Sequence, residues 1–126
     1  MPYDQFHFHL YGTVEDTAQL AGPAPPLTAS FDQMMQRFDA AFPNAYSEPD
    51  GSIAWASKQH QIVGTIYDFA GQVQYVELRG RGELEKVRAL VETLCGTTQI
   101  EALTVMVLPE RQWKNFQDFE KTFPEA

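Results

Sequence analysis

His7 and His9 are the residues of this chain whose type and spacing come nearest to chemistry. They stand at i and i+2 in the run QFHFHLY, Gln5–Tyr11. On a β-strand, side chains two apart point the same way, so both imidazoles reach one spot. Such a pair is part of a transition-metal site, which also needs a third ligand and groups that hold the ligands in place. His60 is the remaining histidine, and Asp68 or Glu77 would offer a carboxylate, but no spacing ties any of them to the pair. The pattern therefore reads first as two histidines on a partly solvated sheet face, with no cofactor expected. His7, His9 and His60 are the candidates if a metal is held.

Other routes to catalysis are thinner. Cys95 is the single cysteine, placed in the last turn of a helix, where the dipole disfavours a thiolate. Glu77 lies near Arg79 and Arg81, and a surface ion pair with them is its expected use. Gly80-Arg81-Gly82 before a helix resembles an anion-binding turn, but reads more simply as a strand-to-helix connection. There is no G-x-S-x-G, P-loop, H-E-x-x-H or dinucleotide fingerprint. No catalytic residue is assigned, and an enzyme is not the favoured reading.

A collective feature carries more weight. Phe, Tyr and Trp make up 13% of the chain, enough for a surface as well as a core. His7, His9 and Tyr11 share one side of the first strand. If Trp55, Tyr67 and Tyr75 lie on the same side of the sheet, they form an amphipathic aromatic patch. Such side chains bury area while keeping a polar tip, which suits interfaces.

The elements that must position these residues follow from periodicity. Phe6, Phe8 and Leu10 alternate with His7, His9 and Tyr11, predicting a half-buried strand that ends at Gly12. Residues 15–29, with Pro23, Pro25 and Pro26, read as a surface loop. Ser30 caps a helix whose stripe is Phe31, Met34, Met35, Phe38 and Phe42, stopped by Pro43. Short runs separated by Pro49-Asp50-Gly51, Lys58–His60 and Ala70-Gly71 predict four strands, and links this short allow only antiparallel pairing. In the last of them, Gln72–Arg79, simple alternation puts Val73, Tyr75 and Glu77 on one face and Val76 and Leu78 on the other. Glu83–Cys95 is a helix capped by Gly96, and Leu103–Leu108 a strand buried on both faces and closed by Pro109. Trp113, Phe116, Phe119 and Phe123 fit a final helix.

The order is thus β-α-β-β-β-β-α-β-α. It predicts a single α+β domain over residues 1–126, a mostly antiparallel sheet with helices packed on it. The arrangement is related to the ferredoxin-like plait with an added hairpin.

Within Ser47–Gly80, the segments Glu48–Ser52, Gly64–Asp68 and Tyr75–Gly80 resemble a small family of uncharacterised bacterial proteins. The resemblance implies that the strand meander is the family's core. It brings no activity and no functional residues with it.

Composition excludes some classes. Nine Lys and Arg face seventeen Asp and Glu, a formal charge of −8 in 126 residues. Without a basic run there is no footprint for nucleic acid, nor for an anionic membrane surface. No stretch has the length of a membrane span or the pattern of a signal peptide, so the cytoplasm is the expected location. Two functions remain. The favoured one is a non-enzymatic module that binds a protein partner or a second copy of itself through the aromatic face. The alternative is a small-molecule or metal-binding protein, or an enzyme, built around His7 and His9.

Overall fold

The computed structural model describes residues 4–14 and 24–123. Among them, the chain runs β1 (Phe6–Thr13), α1 (Phe31–Ala41), β2 (Tyr46–Ser47), β3 (Ser52–Ala56), β4 (Gln61–Phe69) and β5 (Gln72–Arg81). It continues through α2 (Leu84–Cys95), β6 (Leu103–Val107), β7 (Gln112–Asn115) and α3 (Phe116–Glu120). The strands form one sheet of seven in the order β2-β3-β4-β5-β1-β6-β7, antiparallel throughout. Its centre is a plait. β1 and β4 run the same way with β5 between them, and β5 and β6 run the same way with β1 between them. The β2–β3 hairpin and β7 extend this plait at its two edges.

Hydrophobic alternation decides which side the helices take. Phe8 pairs with Leu78 and Val107, and Leu10 with Val76 and Val105, so these residues share one side of the sheet. Met34 and Phe38 of α1, the Val87–Leu94 stripe of α2, and Phe116 and Phe119 of α3 bury against it in a single core. Ser30 caps α1 by accepting from the Gln33 amide at 3.1 Å. Gly96 ends α2 in the left-handed conformation, φ 68°. Arg37 of α1 donates to the Leu94 carbonyl at 3.1 Å, tying the two helices together. Arg88 of α2 pairs with Glu92, Glu101 and Glu120, which holds α3 in place.

Four sequence expectations of the fold change, the last of them in β6. First, Val73 is fully buried on the helix side with Val76 and Leu78. The cause is a β-bulge: Tyr67 pairs with Tyr75 but Asp68 pairs with Val73, leaving Gln74 unopposed and shifting the alternation by one. Second, Trp113 belongs to strand β7, not to the last helix. Asn115 caps α3 by accepting from the Asp118 amide at 2.7 Å, so the helix begins only at Phe116. Third, the proline-rich segment is not all surface loop. Residues 15–23 lie outside the described residues, but Ala24, Leu27 and Ala29 are buried. Pro25 accepts from the Gly12 amide and Ala29 from the Val73 amide; Leu27 and Ala29 join the core, while Pro25, Pro26 and Thr28 stay exposed.

Strand β6 is buried on both sides only at Thr104 and Val105; Leu103, Met106 and Val107 are half-buried. Among the described residues, no helix is long and apolar enough to cross a membrane.

Gly80 shows how tightly the central strands are set. It has φ +144° inside β5, and a side chain there would collide with the Gln61 carbonyl of the neighbouring strand. Gly80→Ala is expected to cost about 1–3 kcal/mol or more, from backbone strain alone. Urea unfolding measures it, and an unchanged midpoint would contradict the left-handed conformation at this position.

Candidate binding face

The side of the sheet away from the helices carries His7, His9 and Tyr11 on β1 and Tyr75, Glu77 and Arg79 on β5. Register sets them side by side: His7 opposite Arg79, and His9 opposite Glu77. β4 adds Tyr67, directly across from Tyr75. β6 adds Met106, opposite His9, and β7 adds Trp113, opposite Met106.

The rings form a row across the strands. Tyr67 stacks on Tyr75 at 4.7 Å and Tyr75 on Tyr11 at 5.2 Å, each pair tilted by 25°. Trp113 meets Tyr11 edge-on at 5.4 Å, and His9 leans on Tyr75 at 4.8 Å. Because the tyrosines stack on one another, they stand up from the sheet and present edges and hydroxyls, not open faces. Burial holds the Tyr11 and Tyr75 phenols above their ordinary range, Tyr75 being raised further by Tyr67 and Glu77. At neutral pH these hydroxyls are therefore protonated donors.

At one end of the row two imidazoles share a carboxylate. Glu77 Oε2 is 2.7 Å from His7 Nε2 and 3.5 Å from His9 Nε2. The Tyr67 hydroxyl donates to Glu77 Oε1 at 3.4 Å. The three side chains are half-buried. The expected ion pair of Glu77 with Arg79 or Arg81 is not formed; the histidines take that role. His7, His9 and Glu77 bring ligand atoms within 4.8 Å of one another, the spacing of residues able to hold a metal ion.

The sequence candidates thus divide. His7, His9, Tyr11, Tyr67 and Tyr75 are brought together. Trp55 and His60 are not. Trp55 pairs with buried Ile62 and so points to the helix side, where it packs on Phe42 at 4.2 Å under the Lys86 ammonium. His60 is buried beside Trp55 at 4.3 Å, its Nδ1 bonded to the Ser57 hydroxyl. It lies at the β3–β4 turn, two strands from β1, and joins no metal-type group with the His7/His9 pair. Asp68 accepts from the Gly71 amide in its own hairpin. Trp113 is the member that sequence reasoning did not place on this face; Glu77 was placed on the same side as Tyr75, but with the arginines as its expected partners. The Asn115-x-x-Asp118 cap was the available signal for Trp113, since it starts the helix after that residue.

The other sequence candidates carry no site. Burial pushes the Cys95 thiol up to about 11, with Arg37 pulling the other way, so it is an unreactive thiol at neutral pH. The turn at Gly80–Gly82 opens on a cleft of about 710 Å³. Glu83, Glu85 and Glu120 line this cleft with Arg81 and Lys121, so it offers no excess of positive charge to a phosphate. The Gly82 amide is already taken by Gln5.

The charged forms of His9 and His60 are disfavoured. His9 is lowered by burial, which outweighs the attraction of Glu77, and His60 is lowered by burial and by Lys86. For Glu77 burial pushes upward, but the hydrogen bond and charge of His7 and the charge of His9 win, so its carboxyl is lowered. Each depressed group stabilises the fold above its unfolded pKa and loses that contribution as pH falls. For the imidazoles the loss begins below the unfolded value of 6.5; for Glu77 it follows in the acid range. The urea midpoint is expected to fall between pH 7 and 5 and again below about pH 4. A flat profile from pH 7 to 5 would contradict the burial of His9 and His60.

Compared with known proteins, the chain matches no family, no curated protein and no solved structure.

Proposed function

We propose that this chain is a non-enzymatic interaction domain that pairs with a second copy of itself through the helix-free sheet face. The observation that carries the reading is the pre-stacked row Tyr67–Tyr75–Tyr11–Trp113 on a sheet side that no described helix covers. Rings already held by their neighbours lose little conformational freedom on binding, and Tyr and Trp dominate the energetics of well-packed interfaces.

Charge selects the partner. The chain carries −8 overall, yet Glu77 and Arg79 are the charged side chains at the centre of this face, and they oppose each other in sign. A foreign partner chosen by charge needs a pattern of charge to read, and the row offers none. A like face related by a two-fold axis meets it without acidic repulsion at the contact, and isologous pairs are the commonest assemblies. Phe69, 77% exposed at the β4–β5 tip, and Tyr67, 39% exposed, extend the apolar surface to the rim. Both edge strands, β2 and β7, are short, which favours packing face to face over pairing edge to edge.

Analytical ultracentrifugation over a range of concentrations tests the reading. A reversible dimer is expected. A strict monomer up to the millimolar range would overturn it.

A further inference from the structure

Glu77 has a choice of cations and takes imidazoles. Arg79 lies on the same side of β5, yet among the described residues the ion-pair partners of Glu77 are His7 and His9. Both histidines present Nε2 to the same carboxylate oxygen, at 2.7 Å and 3.5 Å. Two donors on a tetrahedral zinc at about 2.0–2.1 Å sit about 3.4 Å from each other. These two separations bracket that value, and all three donors lie within 4.8 Å of one another.

The strands that carry them are paired on both sides within the sheet. His7 and His9 flank Phe8, which is fully buried, and Glu77 sits directly across the ladder from His9. The Glu77 carboxylate is also held from behind, because Tyr67 donates to its second oxygen at 3.4 Å. A hydrogen bond to the free oxygen of a ligating carboxylate is the usual support of a metal ligand.

The geometry points to a divalent transition-metal site formed by His7 Nε2, His9 Nε2 and one oxygen of Glu77, with Tyr67 as the positioning residue. It goes beyond self-association and needs only one chain. Two neutral imidazoles and a carboxylate suit zinc and the neighbouring transition metals, whereas calcium and magnesium take oxygen donors. Side-chain exposures of 32% for His7, 22% for His9 and 26% for Glu77 leave the outward positions of the ion open. Three protein ligands with an open position mark a centre that takes water or an external group, in contrast to a closed structural site.

Isothermal titration of the tag-free, metal-free chain with zinc chloride at neutral pH tests the site. One equivalent is expected to bind at about 100 µM or tighter. Glu77→Gln should weaken it at least tenfold and Tyr67→Phe should weaken it less. Binding weaker than that, or a Glu77→Gln variant as tight as the parent, would overturn the proposal; the latter would leave only a histidine pair scavenging metal. If Glu77→Gln does not fold, imidazole nitrogen resonances of the parent chain decide. Zinc should shift His7 and His9 and leave His60 in place; any other pattern overturns the site. Ultracentrifugation with and without a chelator keeps the two readings apart, since zinc can bind a monomer and a dimer can form without zinc.

Discussion

Phe8→Ala is expected to lower the unfolding free energy by about 3–5 kcal/mol, a large part of the roughly 5–15 kcal/mol of a typical domain. Phe8 is fully buried in the middle of β1, between Leu78 of β5 and Val107 of β6, and its ring lies 4.5 Å from that of Phe119. Truncation leaves a cavity where both central strands and α3 meet, and a close-packed interior relaxes only partly around it. His9→Ala, one residue on and facing the other way, removes a half-buried side chain outside the core. Its cost should stay near 1 kcal/mol, within the ordinary range for single substitutions. Urea unfolding of the two variants compares the sides of one strand directly. Equal losses would mean that the His9 side is packed as tightly as the helix side, which would contradict the open face.

Tyr75→Lys is expected to abolish self-association while leaving the fold intact. Tyr75 is the hub of the row, in contact with Tyr67, Tyr11 and His9. Losing a central interface tyrosine costs about 2 kcal/mol or more, some thirtyfold in affinity. The substitution also sets an ammonium in the middle of the row, where association would strip it of water. Ultracentrifugation should show a monomer at concentrations where the parent chain is a dimer, and circular dichroism should be unchanged. Tyr46→Lys serves as the comparison, because Tyr46 is 54% exposed on the edge strand β2, away from the row. Dimers of the Tyr75→Lys variant as stable as the parent's would place the interface elsewhere.

Much of this architecture is legible in the residue pattern because it follows local rules. Phe6, Phe8 and Leu10 announce the inward side of β1 by strict alternation, and the stripe from Met34 to Phe38 does the same for α1. The short turns between Pro49 and Gly71 leave antiparallel pairing as the one option. The failures are tertiary. Trp55 alternates in a short strand whose phase the sequence does not reveal, and pairing with Ile62 turns it to the helix side. Trp113 fits a helical stripe with Phe116 and Phe119, but the unpaired edge of β6 recruits Gln112–Asn115 as a strand. Glu77 next to two arginines reads as their partner along the chain; only the β1–β5 register shows that His9 stands closer. The third ligand of the candidate metal site was therefore visible as a residue but not as a neighbour, because cross-strand proximity is not encoded in spacing.

The unopposed Gln74 has a consequence for how this hairpin can vary in length. Because it absorbs one step of alternation, Val73 and Tyr75 point to opposite sides although they are two apart. Loss of that single codon would leave the β5 residues beyond it paired as they are. Val73 would then directly precede Tyr75, and plain alternation would keep it on the helix side, still opposite Asp68. Gain of a codon in the exposed Ala70-Gly71 tip would be absorbed by the loop. One-residue changes of length are thus expected to be tolerated at Gln74 and at the tip, but not between Val76 and Leu78, where one would turn a buried side chain outward.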